Sequence, residues 1–398
     1  MSSIKLSQSS AEQLNPAKST RIRLEYLDGM RGIAALYVVW FHIYLDVINT
    51  KSGIIQLPYL LNSIIEVFMS HGASSVAIFI VLSGYCLMLP VAKSSDGKLR
   101  GGVVHYIKRR ARRILPPYYA ALFFSLLLSA LVPATLMSAT GWHWNSGQPA
   151  FTLDGILSHL LLVHNLKGQW VFLINPPMWS VALEWQIYFV FAFLLLPVWR
   201  RFGIIPVLVV ASIFGAAIGF RIAHWWYIIL FTLGMIGATI GFSKKQSLVN
   251  LKERFPWDLV TSLLGGIWIS LVIANAFDLI QVNIIFDDIL LGVVATGLII
   301  SCTRFLSEGI KTNFQGILQI LEGRWLVKLG SFSYSLYLVH TIAMALLQFA
   351  LKDAIRTPLV NFILLSVLGL PLCLLSAYIF HIIFEKPFMS NSTQKTEY

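Results

Sequence analysis

The residues of this chain best suited to chemistry stand where ionisable groups are costly. His42 follows Arg31 at a distance of eleven residues, on a stretch that opens polar as Leu27-Asp28-Gly29-Met30-Arg31-Gly32 and then turns apolar. If that stretch is a helix entering a bilayer near Gly32, a rise of ~1.5 Å per residue puts His42 roughly 16 Å past Arg31, near the middle of a ~30 Å hydrocarbon core. Ionisable side chains at that depth face a protein interior or a wet cavity, and function is the default reading. The alternative is a buried histidine hydrogen-bonded between helices. An imidazole there is suited to general-base catalysis, worth about 10²–10⁴ in rate, or to nucleophilic catalysis through a covalent intermediate. Asp46, at i+4 from His42 on one helical face, is spaced to orient it.

Glu184 lies in Met178-Trp179-Ser180-Val181-Ala182-Leu183-Glu184-Trp185-Gln186-Ile187-Tyr188. Read as a helix running inward, this places Glu184 ~10 Å below the outer face, against roughly 14 Å for His42 by the same ruler, so the two are expected to meet. A carboxylate at that depth needs a cation or hydrogen bonds. Leu329-Gly330-Ser331-Phe332-Ser333-Tyr334-Ser335-Leu336-Tyr337-Leu338-Val339-His340 brings a second histidine to mid-membrane, with hydroxyls, Tyr337 among them, suited to interhelical hydrogen bonds. Ser83 and Gly84, in Ala77 to Tyr85, favour close helix packing; a backbone left open to a thin acyl-pantetheine chain is the weaker reading.

Lys108-Arg109-Arg110-Ala111-Arg112-Arg113, followed by Ile114-Leu115-Pro116-Pro117, is the densest charge cluster. It is read either as a topology signal that also meets lipid phosphates or as a site for a polyanionic cytosolic ligand such as coenzyme A, because guanidinium groups bind phosphate bidentately. No GxxxxGK[ST] or GxGxxG sequence accompanies it, which leaves nucleotide hydrolysis and dinucleotide binding without support.

The elements that must position these groups are membrane helices. Of 398 residues, 57% are hydrophobic and only 12% charged, at a mean hydropathy of +0.74, as in a polytopic membrane protein rather than a soluble domain. The net charge of +12 is therefore a question of sidedness and not of nucleic-acid binding. Apolar segments near 32–50, 72–91, 114–134, 178–198, 203–222, 225–242, 257–277, 284–303, 326–350 and 358–384 predict an all-α bundle of about ten spans. With the N-terminus inside, this alternation leaves only Lys51, Lys167, Arg221, Lys352 and Arg356 of the 30 Lys and Arg outside, which puts both termini in the cytoplasm. Residues 1–24 read as a disordered cytoplasmic tail, 25–388 as one transmembrane domain and 389–398 as a short tail. The one long external segment, about 135–177, holds Trp142, His143, Trp144, Trp170 and Phe172, either interfacial aromatics or a flat floor for sugar rings. Its apolar piece, 156–163, is too short to span and is expected to be re-entrant or interfacial. Cys86, Cys302 and Cys373 lie singly in apolar runs, without metal or disulfide spacing.

In order along the chain, the Arg-x10-His opening, VLSGY, RRARRILP, MWSVALEWQIY, LGSFSYSLYLVH and the terminal EKPF resemble the motifs of the acyltransferase 3 family, and the likeness covers about Leu24 to Phe388. The resemblance implies a membrane-bound O-acyltransferase that moves an acyl group, acetyl first among the options, from cytosolic acyl-coenzyme A to a hydroxyl of a carbohydrate or another envelope or secreted acceptor. It assigns Arg31 and His42 to the essential family positions, Glu184 to the acid, and Arg109, Arg110, Arg112 and Arg113 to the basic motif; Asp46, Ser83, Tyr337 and His340 are candidates for supporting residues from the reading of their own stretches. Trp185 stands where many members carry a second acid. The setting implied is a bacterial cytoplasmic membrane, with no metal. The rival reading from another class is a transporter or flippase of lipid-linked sugar or a small solute, for which mid-membrane His and Glu are equally ordinary.

Overall fold

The computed structural model describes residues 24–48, 59–69, 71–131, 152–219, 224–351 and 358–389, and the described residues contain helices and no strand. The helices are α1 (Glu25–Ile48), α2 (Tyr59–Met69), α3 (Gly72–Lys93), α4 (Gly102–Leu131), α5 (Leu153–Leu160), α6 (Met178–Val190), α7 (Leu196–Phe202), α8 (Ile204–Ile218) and α9 (Tyr227–Phe242). They continue as α10 (Gln246–Arg254), α11 (Trp257–Ala276), α12 (Ile284–Glu308), α13 (Gln315–Leu321), α14 (Arg324–Ser331), α15 (Ser333–Ala350), α16 (Pro358–Leu364) and α17 (Leu370–Phe380). Every one of the ten apolar segments read from the sequence falls on one of these helices or on a pair of them. Seven helical runs among the described residues are long and apolar enough to cross a membrane, or eight when α9 and α10 are taken together. Outside that set stand α1, which carries Glu25, Asp28 and Arg31, and α8, which has only 15 residues.

The bundle is knitted where helices lack side chains. A Cβ at Gly84 of α3 would lie 2.0 Å from the Phe231 carbonyl oxygen, and one at Gly234 of α9 would lie 1.9 Å from the Val81 oxygen. The two backbones therefore touch at this crossing, the close approach expected when dispersion and not water drives helix association. The same device fastens α1 to the 321–330 region, with Gly29 against the Leu321 oxygen and Gly330 against that of Asp28. Polar ties complete it: Thr303 of α12 is hydrogen-bonded to Tyr26 at 2.8 Å and to Tyr85 at 2.7 Å, and Glu385 accepts from Ser335 at 2.6 Å. Gly84→Ala is expected to lower the thermal midpoint of the detergent-purified protein, at a cost of roughly 1–3 kcal/mol for overpacking. An unchanged midpoint would contradict the contact.

Helix geometry departs from a plain bundle at three π turns, Phe191–Leu195, Leu365–Gly369 and His381–Glu385. Gly203 turns the chain between α7 and α8 at φ +90, a backbone region open to glycine. The break between α9 and α10 is a bend of 97°.

The segment about 135–177, expected from the sequence to be external, is described from Thr152 onward, and its apolar piece begins within the eight-residue α5. Tyr118 and Tyr119 of α4 donate hydrogen bonds of 2.8 Å to the His159 and Leu160 carbonyls and hold α5 down. His159 and His164 stack at 3.8 Å with rings 6° from parallel, both fully buried. Burial pushes both imidazoles below their usual range, His164 to about 3, with His159 beside it as the second cause. Above the ordinary histidine value of about 6.5 both rings are neutral whether folded or not. Below it the unfolded segment binds protons that the folded pair refuses, so stability falls from about pH 6.5 toward about 3. Replacing both by Phe keeps the stack and is expected to flatten the fall of thermal midpoint with acid; an equally steep fall in the variant would contradict this. Of the aromatics expected here, Trp170 donates to Asp154 at 2.7 Å, and Trp142, His143 and Trp144 lie outside the described residues.

Candidate active site

A cavity of about 680 Å³ runs through the bundle. On α3 it is lined at Val76, Phe79, Ile80, Ser83, Cys86 and onward to Lys93. That is most of the helix, ~25 Å at ~1.5 Å per residue, so the cavity is long and narrow. Arg31, Arg100, Arg109, Arg110 and Arg113 form its basic end, and Ser180, Glu184, Tyr188 and Tyr337 also line it, with Ser83 beside Glu184 one turn of α3 from Cys86 beside Arg31. Arg112, the fourth arginine of the cluster, is exposed and does not line it. The rotation of α4 explains the difference, because successive residues point ~100° apart and one helical face cannot present all four.

The basic end concentrates five guanidinium groups on one cavity. Nη1 of Arg31 donates to Asp28 Oδ1 at 2.6 Å and Nη2 to Cys86 Sγ at 2.9 Å, so a carboxylate on its own helix fixes the guanidinium at the cavity wall. Arg31 is thus braced by Asp28 and at the same time lines the cavity. Arg110 Nε is buried without a hydrogen-bond partner among the described residues, a donor left over for a ligand.

On the cavity wall Glu184 is half-buried, and its Oε1 accepts from Ser83 Oγ at 2.6 Å and from Tyr188 OH at 2.7 Å. Both donors act on one oxygen, which leaves Oε2 without a partner among the described residues on the side chain that faces the cavity. Tyr188 sits one turn from Glu184, an i+4 spacing present in the motif but not singled out from sequence.

His42 does not meet Glu184, contrary to the expectation from their heights. Its partner is His340 of α15: the rings lie 4.7 Å apart, and His340 Nε2 is 3.3 Å from His42 Nδ1. The reason is angular, since depth along two helices says nothing of the direction each side chain takes. Each Nδ1 also faces the carbonyl oxygen four residues earlier, Val38 at 2.8 Å and Leu336 at 3.0 Å. A carbonyl only accepts, so both histidines carry their proton on Nδ1 and His340 Nε2 accepts from His42. His42 Nε2 is left basic. Between this pair and the cavity stands Tyr337, its ring 6.1 Å from that of His340 and its hydroxyl hydrogen-bonded to Ser180 at 2.6 Å. Arg31 and His42, eleven residues apart, share one face of α1 to within ~20° at ~100° per residue, so the face that lines the cavity at Arg31 leads on to His42. The side chain of Asp46 lies outside the described residues.

A family profile described as an acyltransferase domain matches residues 24–381, nearly the whole described chain. The chain belongs to the acyltransferase 3 family. It is also 24% identical over 346 residues to acyltransferase MdmB of Streptomyces mycarofaciens, an alignment that covers 80% of this chain and 78% of that protein. No solved structure matches it significantly. As a member of the acyltransferase 3 family, the protein is a membrane enzyme that transfers acyl groups. For such an enzyme, a cavity lined by both arginines and an acid is the informative feature, and the histidine pairing across 298 residues, behind Tyr337, is the part that no local motif announces.

Proposed function

We propose that this acyltransferase moves an acyl group, acetyl in the first instance, from cytosolic acyl-coenzyme A to a hydroxyl of a carbohydrate or another envelope or secreted acceptor. One observation supports the reading above the others: a single long cavity joins the arginines, at the basic end, to Glu184. The phosphates of the donor pair with Arg109, Arg110, Arg113 and Arg31, while the uncharged pantetheine arm runs between the apolar residues of α3. The thioester then reaches Ser83, Glu184 and Tyr337. His42 Nε2 takes the proton of the acceptor hydroxyl, the oxygen attacks the thioester carbonyl, and the carbon–sulfur bond breaks as the ester forms. The coenzyme leaves as thiolate and recovers the proton from His42. His340 is a positioning residue: it holds the His42 ring through Nδ1–H, the proton on the side away from the acceptor. Glu184, on the cavity wall, supplies a negative charge to the reacting region.

The membrane setting belongs to the same reading: ten spans, both termini cytoplasmic, in a bacterial cytoplasmic membrane, with the basic end of the cavity facing the cytosol. The purified protein, given acetyl-coenzyme A and a set of hydroxyl acceptors, is expected to release free coenzyme thiol only when an accepted acceptor is present. A protein that carries the same solutes across vesicles and leaves the thioester intact would overturn the assignment in favour of transport.

A further inference from the structure

We propose that a second cleft, on the same basic face, binds the phosphate headgroup of an anionic phospholipid. The cleft has a volume of about 1120 Å³ and lies where three chain reversals meet: the end of α3, the α7–α8 elbow at Gly203, and the α9–α10 bend. Five cations from these three places line it, Lys93, Arg200, Arg201, Lys244 and Lys245, against a single acid, Asp96. That acid is already occupied, accepting from the Lys98 amide at 3.1 Å. None of the five cations forms an ion pair with a described residue, although the Lys93 ammonium lies over the Phe242 ring at 4.3 Å. Loop cations that serve only to set topology need not converge on one concavity; these do.

The apolar rim points to a lipid as the carrier of the phosphate. Phe202 and Ile205 line the same cleft while 61% and 73% exposed, side chains suited to contact acyl chains beside a bound headgroup. The bend of 97° turns α10 along the membrane surface when α9 crosses it, with Leu248 on the cleft and Arg254 in the last turn, the arrangement of an interfacial helix. Among the described residues Lys93 alone lines both cavities, so the lipid site adjoins the donor site without coinciding with it. Polybasic surfaces gain about 1 kcal/mol per cation near anionic lipid, enough for selective retention when two or more act together.

The test is lipid retention by the full chain. Protein reconstituted in vesicles of phosphatidylcholine and phosphatidylglycerol at three to one is extracted in mild detergent, and bound lipid is counted by mass spectrometry. Wild type is expected to retain phosphatidylglycerol preferentially. Arg200→Gln with Arg201→Gln, and separately Lys244→Gln with Lys245→Gln, should each cut that retention on the order of tenfold. Lys311→Gln with Lys328→Gln, outside the cleft, should leave it unchanged. The two cleft pairs sit on different elements, so one that folds suffices. Equal loss in the control pair would mean diffuse charge attraction, no loss in either cleft pair would mean no site, and displacement of the lipid by inorganic phosphate alone would mean a soluble anion. Each of these overturns the proposal.

Discussion

His42→Ala is expected to abolish acyl transfer while the protein still inserts, folds and binds acyl-coenzyme A. The Nδ1 of His42 is engaged by Val38 and His340, so only Nε2 remains to take a proton. The loss expected for a general base is about 10²–10⁴ in turnover. Donor affinity should hold, because His42 lies beyond the cavity lining. His340→Gln separates positioning from chemistry: an amide hydrogen-bonds at the same place without holding an imidazole pair, so turnover should fall by less than in His42→Ala while the apparent Michaelis constant for donor stays put. Initial rates at saturating donor, with donor affinity measured separately, read both. Normal turnover by His42→Ala would remove the histidine from the mechanism.

The second large effect is expected in the arginine cluster, and it is uneven. Arg109→Gln, Arg110→Gln and Arg113→Gln, made singly to preserve topology, should each weaken donor binding by roughly ten- to a hundredfold, as for loss of a charge-assisted hydrogen bond worth ~1.5–3 kcal/mol. Their residual binding should also depend less on salt. Arg112→Gln should bind donor as wild type does, since its side chain is exposed away from the cavity. Four equal losses would mean that the cluster acts as a diffuse charge, and four unchanged affinities would mean that it serves insertion alone.

Helix content and the basic end were legible in the sequence because each is a property of a continuous stretch. Ten apolar segments follow from hydropathy, and four arginines in six positions announce themselves. Relations between stretches were not legible in the same way. Periodicity places Ser83, Glu184 and Tyr188 on their own helices but not the rotation that brings Ser83 Oγ and Tyr188 OH onto one carboxylate oxygen. Height along the membrane suggested that His42 meets Glu184, whereas the facing of α1 toward α15 pairs it with His340. Gly84 is the converse case: a small residue in an apolar helix signals close approach, and the Phe231 backbone is what approaches. The second cleft was the least legible, because its cations come from three reversals far apart in the chain.

The central claim is that one ligand occupies the cavity from the arginines to Glu184, and protection of a reporter at Glu184 tests it most directly. In a background carrying Cys86→Ser, Cys302→Ala and Cys373→Ala, Glu184→Cys should react with a small thiol reagent in the absence of donor. Saturating acyl-coenzyme A should slow that labelling sharply, and adding Arg110→Gln should raise the donor concentration needed for protection. Labelling that proceeds at the same rate with donor fully bound would place the acyl end elsewhere and contradict the account.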